Sequence, residues 1–317
     1  MSPMKIVLGT HTLTGYPRSL DGPPPTAEAR RNLFGWLRRH GFDGIEIGSW
    51  WLDVCRVPVE DVASVRDELA DYGLELAGFN LLRKNVAHPA VADENARGIR
   101  HAVTTAKRVG SRFVSISFSL AGATVGVPED RVRGTRESPG SSRDASDADY
   151  ERTAALLREV ARDAAEADVA IAVELHHCSL ADTSASLIRL LEVAGEPNLT
   201  ANPDLGNPQW GYSVPEEQWH AAIARLAPRI GRVWHVKNIQ RIYVPDIDRS
   251  FFVQAPLGEG EIDYRWAMAN VLASGFDGYI SIEGAGPGDV LTVAARGKTY
   301  LDDLIADVRA GVGLGVQ

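Results

Sequence analysis

Residues 169–177 read VAIAVELHH. Five apolar residues in succession, with β-branched side chains at alternate places and no polar face, describe a strand buried on both sides. Such strands belong to parallel sheets covered by helices. The run then closes on Glu174, His176 and His177. A strand leaving the core for solvent could end this way, so the meaning of the three polar groups depends on the rest of the chain.

Outward from this stretch one theme repeats: a short run rich in Val and Ile, a polar loop, then an amphipathic helix. Strands are expected at 4–9, 43–48, 75–80, 113–118, 169–175, 198–203, 231–237 and 278–283. Helices are expected near 26–40, 60–72, 91–109, 148–167, 183–194, 215–227, 264–274 and 293–310. Thr26 can cap the first helix with Glu28 in its opening turn, and Gly41 and Gly73 stand where helices must stop. There is an internal echo: GFDGIE at 41–46 returns as GFDGYI at 275–280, each where a helix gives way to a strand. Strict alternation of eight such units predicts an α/β fold, a (β/α)8 TIM barrel, spanning residues 1–317 as one domain. A doubly wound open sheet is the alternative, but no GxGxxG follows an early strand. Long loops are expected after strand four, 119–147, and after strand seven, 238–263. The first, rich in Ser, Arg and Asp, reads as a lid. The second carries Ile242, Tyr243, Phe251 and Phe252 and reads as packed over the pocket or against a partner.

Composition narrows the function. Of 317 residues 44% are apolar, enough for a large core. No apolar run approaches the roughly 20 residues that cross a bilayer, and the N-terminus lacks a secretory pattern. Two cysteines, Cys55 and Cys178, outside any CxxC spacing, fit a reducing compartment, so a cytoplasmic location is expected. The formal charge of −9 argues against nucleic acid and leaves small polar substrates.

Side chains two apart share a strand face, which places Glu174 and His176 together and turns Leu175 and His177 the other way, His177 toward the helical layer. Asp204, His235 with Lys237, and Glu283 hold equivalent positions at the C-terminal ends of the next three strands. A closed barrel brings these ends over one site. Three carboxylates and an imidazole in a partly buried pocket need a cation. Oxygen-rich ligation with one nitrogen favours a divalent ion, Mn2+ first and Mg2+ or Co2+ next, and does not need Cys178. A salt-bridge network of Glu174 and Glu283 with Lys237 and arginines is the alternative.

With Glu174, NPDLGN around Asp204, HVKN around His235 and GFDGYISIE ending at Glu283, the chain resembles the xylose-isomerase-like TIM barrels. These include sugar-phosphate isomerases, ketose 3-epimerases and inosose-processing enzymes. The resemblance implies that Glu174, Asp204, His235 and Glu283 bind one catalytic divalent metal. The chain departs from many members in having Asn207 where they have histidine and Asn238 where they have aspartate. The stretches NPDLGNPQWGY, WHVKNIQRIYVPDIDRSFF and GEGEIDYRWAM look closer to the catalytic subunit of bacterial C-glycoside deglycosidases. That likeness implies β-elimination from a 3-oxo-C-glycoside, with a small β-rich partner subunit and an oligomeric assembly. Keto-sugar or sugar-phosphate isomerisation or epimerisation is the other outcome.

All of these reactions begin by removing a proton beside a carbonyl. Glu174 and Glu283 are candidate bases, and His176 is a third or a hydrogen-bonding support. Lys237 can hold a substrate hydroxyl or offset the carboxylates. His11, Asn207 and Trp210 are further candidates for substrate contact, as is Tyr212. Glu46, Trp50 and Trp51 are grouped after strand two, with at most one of the two tryptophans in the site. A DNA-repair endonuclease on this barrel needs a multinuclear zinc site with more histidines, which this chain lacks.

Overall fold

The computed structural model describes residues 4–13, 23–119, 140–210, 217–284 and 288–312. Among the described residues, eight parallel strands alternate with eight helices. The strands are β1 (Lys5–Gly9), β2 (Gly44–Gly48), β3 (Glu75–Leu81), β4 (Phe113–Ile116), β5 (Ala170–Glu174), β6 (Leu199–Asn202), β7 (Val233–Val236) and, after a hairpin formed by β8 (Asn238–Val244) and β9 (Arg249–Ala255), β10 (Tyr279–Ile282). The helices are α1 (Ala27–Arg39), α2 (Val59–Ala70), α3 (Ala92–Val109), α4 (Asp147–Ala165), α5 (Ser184–Ala194), α6 (Trp219–Leu226), α7 (Tyr264–Ala273) and α8 (Val290–Arg309). Among the described residues no helix is long and apolar enough to cross a membrane.

The large sheet runs β6-β5-β4-β3-β2-β1-β10-β7, which makes a nearly closed (β/α)8 barrel. Its seam lies between β6 and β7, which are not paired as a ladder; an isolated bridge joins Ala201 of β6 to Ile230, ahead of β7. Side chains complete the closure. Asn202 Oδ1 accepts the backbone N–H of His235 at 2.9 Å while its Nδ2 donates to Ser115 Oγ at 2.9 Å, and Trp234 Nε1 donates to the Pro203 carbonyl at 3.1 Å.

Strand alternation sorts the residues into two cores. Ile6, Leu8, Ile45, Ile47, Ile171, Val173, Trp234, Val236, Ile280 and Ile282 face outward into the cluster shared with the helices. A smaller cluster of Val7, Ala77, Phe113, Ala170, Ala172, Val233 and Tyr279 forms the floor of the barrel interior. Above it the interior turns polar, and that change of chemistry marks where the site begins.

The GFDG echo has one physical cause in both copies. Gly41 and Gly275 adopt φ of 72° and 86° just beyond a helix, a conformation that side chains disfavour. The second glycines, Gly44 at the start of β2 and Gly278 just before β10, stand where a Cβ would collide with the carbonyls of Glu75 and Arg232. Helix starts follow capping chemistry: Thr26 caps α1, and capping boxes at Ser146 and Thr183 open α4 and α5.

Most of the loop after β4 lies outside the described residues, and the lid reading falls there. The segment after β7 is structured as the β8–β9 hairpin, which pairs Ile242 with Phe251 and Gln240 with Val253. The opposite face carries Ile239 and Phe252, buried and half-buried, while Ile242, Phe251 and Val253 stay 55%, 49% and 46% exposed.

Candidate metal centre

Glu174 closes β5, Asp204 follows β6, His235 lies in β7 and Glu283 follows β10, and all four are buried. One donor atom from each lies within 4.8 Å of the others, so the group could hold a metal ion. Their separation along the chain is undone by the barrel, which sets β5, β6, β7 and β10 side by side around its mouth.

Each donor is held from behind. Asp204 Oδ1 accepts the backbone N–H groups of Gly206 at 2.9 Å and Asn207 at 3.1 Å, turning the carboxylate inward. Asn207 Nδ2 donates to Glu174 Oε1 at 2.6 Å and to the Leu175 carbonyl at 3.0 Å. Asn80, at the end of β3, donates to Glu283 Oε1. His235 Nε2 lies 2.9 Å from Glu46 Oε1, while its Nδ1 turns toward the cluster, 3.1 Å from Glu283 Oε1 and 3.7 Å from Glu174 Oε1. Glu174 Oε2 is buried with no hydrogen-bond partner. A buried bare carboxylate oxygen beside an imidazole nitrogen and two further carboxylates fits a divalent cation with mainly oxygen ligands.

The electrostatics show the same crowding. Burial, reinforced by Glu283 and Glu174 and opposed by Lys237, pushes the Asp204 carboxyl up to about 7. Burial works against charge on His235, but Glu283 and Glu46 outweigh it and raise the imidazole well above its ordinary range. Lys237, two residues on from His235, sets its Nζ 2.9 Å from Asp204 Oδ2 and 3.2 Å from Glu283 Oε2. Burial lowers its pKa and these carboxylates more than restore it. Both halves of the sequence alternative are therefore present: the donor cluster exists, and one ammonium is built into its edge.

Other expected residues lie around this centre. His11, in a tight turn after β1, brings Nδ1 to 3.5 Å from Glu283 Oε1, and Gly48 allows the approach because a Cβ there would meet the His11 backbone at 2.9 Å. Trp50 lies 6.5 Å from the His11 ring, with the Arg83 guanidinium 5.6 Å over its own ring. Trp51 is buried in the outer core. Trp210 ends the short turn begun by Asn207; its side chain and Tyr212 lie outside the description.

Two expectations change. His177 does not turn to the helical layer: regular strand geometry ends at Glu174, and the His176 and His177 rings stack with centroids 4.4 Å apart. His176 Nδ1 is 2.8 Å from the His177 carbonyl, which makes Nδ1 the protonated nitrogen and leaves Nε2 as acceptor. Burial, then the stacked His177, then Arg83 keep this imidazole well below its ordinary pKa, hence neutral. The second change concerns Glu46, which sits within β2 and faces the interior rather than the loop beyond. Asn80 and Asn202 were not singled out by sequence, and Glu46 was named there without a role. A carboxylate inside the otherwise apolar GIEIG strand was the available signal. Asn238 proves structural: its amide ties Leu257, Ile262 and Ile239 at the base of the hairpin.

Fold and site together define a barrel with a buried acidic centre at its C-terminal mouth. The chain belongs to the xylose isomerase-like TIM barrel family, whose model matches residues 34–304. A solved xylose isomerase-like TIM barrel protein from Mycobacterium smegmatis in complex with magnesium is similar over 96% of this chain and 98% of its own, at 19% identity and TM-score 0.76. An L-ribulose 3-epimerase is similar over 99% and 98%, at 19% identity and TM-score 0.70. A 3-keto-D-glucoside 4-epimerase from E. coli is similar over 94% and 98%, at 16% identity and TM-score 0.64. No curated protein sequence matches the chain.

Proposed function

We propose that the protein is a divalent-metal-dependent enzyme that removes the proton beside the carbonyl of an oxo-sugar, in the manner of a sugar isomerase or epimerase. The buried cluster of Glu174, Asp204, His235 and Glu283 carries this reading, with Glu174 Oε2 unpartnered inside it. Bound there, a divalent ion such as Mn2+ or Mg2+ supplies Lewis acidity toward a carbonyl oxygen and its neighbouring hydroxyl.

The chain's own groups do the rest. Glu174, whose Oε1 is fixed by Asn207, is the first base. Glu283, held by Asn80 and by the Lys237 ammonium, takes a proton from that ammonium and returns it from elsewhere around the centre, which is what inversion or transfer along the sugar requires. Neutral His176, with Nε2 free to accept, serves a second proton or a sugar hydroxyl. Lys237 and His11 donate to substrate oxygens. Epimerases of known structure with this fold support the substrate class.

The second reading, β-elimination from a 3-oxo-C-glycoside, shares the first proton transfer and differs in its end: the electron pair left at C2 forms a double bond as the aglycone leaves C1. Asn207 favours it, because an amide standing where many ketose enzymes have histidine cannot relay a proton. The exposed Ile242–Phe251 face favours assembly with another chain, a small β-rich subunit in this reading and a second copy in the first. Cys55 and Cys178 form no disulfide with each other, which accords with a reducing setting.

The test is proton exchange. Manganese-loaded protein in D2O is incubated in parallel with a 3-keto-glucoside, free ketoses and a 3-oxo-C-glucoside, and followed by NMR. Deuterium entering the carbon beside the carbonyl is expected for at least one of them, with a new epimer for the first reading or free aglycone for the second. No exchange with any oxo-sugar, in protein shown to hold metal, contradicts the proposal.

A further inference from the structure

We propose that Glu46 is a positioning residue that fixes His235 for metal binding, a role that rests on the metal-dependent reading above. Glu46 is wholly buried in the middle of β2. Its Oε1 lies 2.9 Å from His235 Nε2 and its Oε2 accepts from Ser281 Oγ at 2.5 Å, so both oxygens are committed.

An imidazole offers two nitrogens, and which one carries the lone pair is decided by what the other donates to. Here Nε2–H points at a carboxylate. Nδ1, with no hydrogen-bond partner of its own, is the nitrogen left facing Glu174 and Glu283.

The residues beside Glu46 in the barrel are small. Its neighbours in register on both flanking strands are glycines, Gly9 on β1 and Gly78 on β3. A Cβ at Gly9 would stand 3.1 to 3.3 Å from His11, the Ile282 carbonyl and Glu283. Ser281, in register with His235 on the adjacent strand, supplies the second hydrogen bond. The side chain thus reaches from β2 past β1 and β10 to β7, four strands of one polar layer built around a single ring. The apolar floor one layer below shows that the barrel can be filled without any charge, so a buried carboxylate here calls for a purpose beyond packing.

The test is Mn2+ and Mg2+ titration calorimetry on wild type, Glu46→Gln and Ser281→Ala, with 15N NMR of the histidines in the Mg2+ form. Glu46→Gln keeps the shape and removes the charge. It is expected to weaken metal binding by about 10- to 100-fold, while the melting temperature of the metal-free protein is unchanged or raised. Ser281→Ala is expected to lose several-fold. In wild type the Mg2+ form should show His235 protonated on Nε2 and bare on Nδ1. Metal affinity of Glu46→Gln within twofold of wild type, or a proton on Nδ1 in the Mg2+ form, overturns the role. If Glu46→Gln fails to fold, unchanged affinity in Ser281→Ala overturns it instead. Failure of wild type to bind either ion removes the metal reading and this role together, whereas binding by wild type and equal binding by Glu46→Gln removes the Glu46 role alone.

Discussion

Lys237 Nζ stands 2.9 Å from Asp204 Oδ2, an ammonium built into the edge of a carboxylate cluster that could hold a dication. The two cations compete for the same oxygens. Lys237→Met should therefore tighten metal binding, by roughly tenfold, since each 1.4 kcal/mol of relieved repulsion is a factor of ten. The same change should lower kcat by about 100-fold or more, the usual scale for a lost proton donor. Calorimetry and steady-state kinetics on one preparation read the two effects. Metal affinity falling in step with kcat would show that Lys237 supports the site and does not act on substrate.

Acidity gives a second expectation. Asp204 in the metal-free fold is pushed up to about 7, chiefly by burial. Its unfolded value is about 4, so between pH 4 and 7 the folded state binds more protons than the unfolded one, and stability falls as pH rises through that window. A divalent ion replaces the proton. The rise in Tm caused by saturating Mg2+ should be larger at pH 8 than at pH 5.5, and a larger rise at the acidic end would contradict the assignment.

The barrel seam gives a third. Asn202 satisfies the His235 backbone N–H and Ser115 Oγ where β6 and β7 lack a ladder. Asn202→Ala leaves two buried polar groups unpaired and should cost about 1–3 kcal/mol in urea unfolding. A loss below about 0.5 kcal/mol, the range of ordinary surface changes, would mean the seam is held by other contacts.

What the sequence made legible follows period and chemistry. The strand and helix positions emerged because buried parallel strands are continuously apolar and the helices amphipathic; VAIAVEL and GYISIE could be little else. The four clustered groups were legible because each sits at or near the C-terminal end of its strand. His177 was misread because alternation was carried past Glu174, where the strand ends and Cys178 takes a φ of 52°. Asn80, Asn202 and the role of Glu46 stayed hidden because their partners lie on strands far away in sequence, and only the order β2-β1-β10-β7 brings Glu46 to His235. The hairpin was seen as an apolar loop, since its pairing across Pro245 and Asp248 carries no Asn-Gly or Asp-Gly turn signal.

That hairpin supplies a fourth expectation. Ile242 and Phe251 are opposite one another on its open face. In the assembly proposed above, the double change Ile242→Asp and Phe251→Asp should leave a monomer in size-exclusion chromatography with little change in Tm. A wild-type chain that runs as a monomer at micromolar concentration, alone and with candidate subunits, would show that the face has another use.

The central claim is the metal site itself. A crystal grown with Mn2+ and measured at a wavelength where manganese scatters anomalously tests it most directly. One ion per chain is predicted among Glu174, Asp204, Glu283 and His235 Nδ1, at ligand distances of about 2.0–2.4 Å, with Lys237 Nζ moved off Asp204. No anomalous peak at that position, or an ion bound elsewhere with the Lys237 ion pairs intact, would contradict the account.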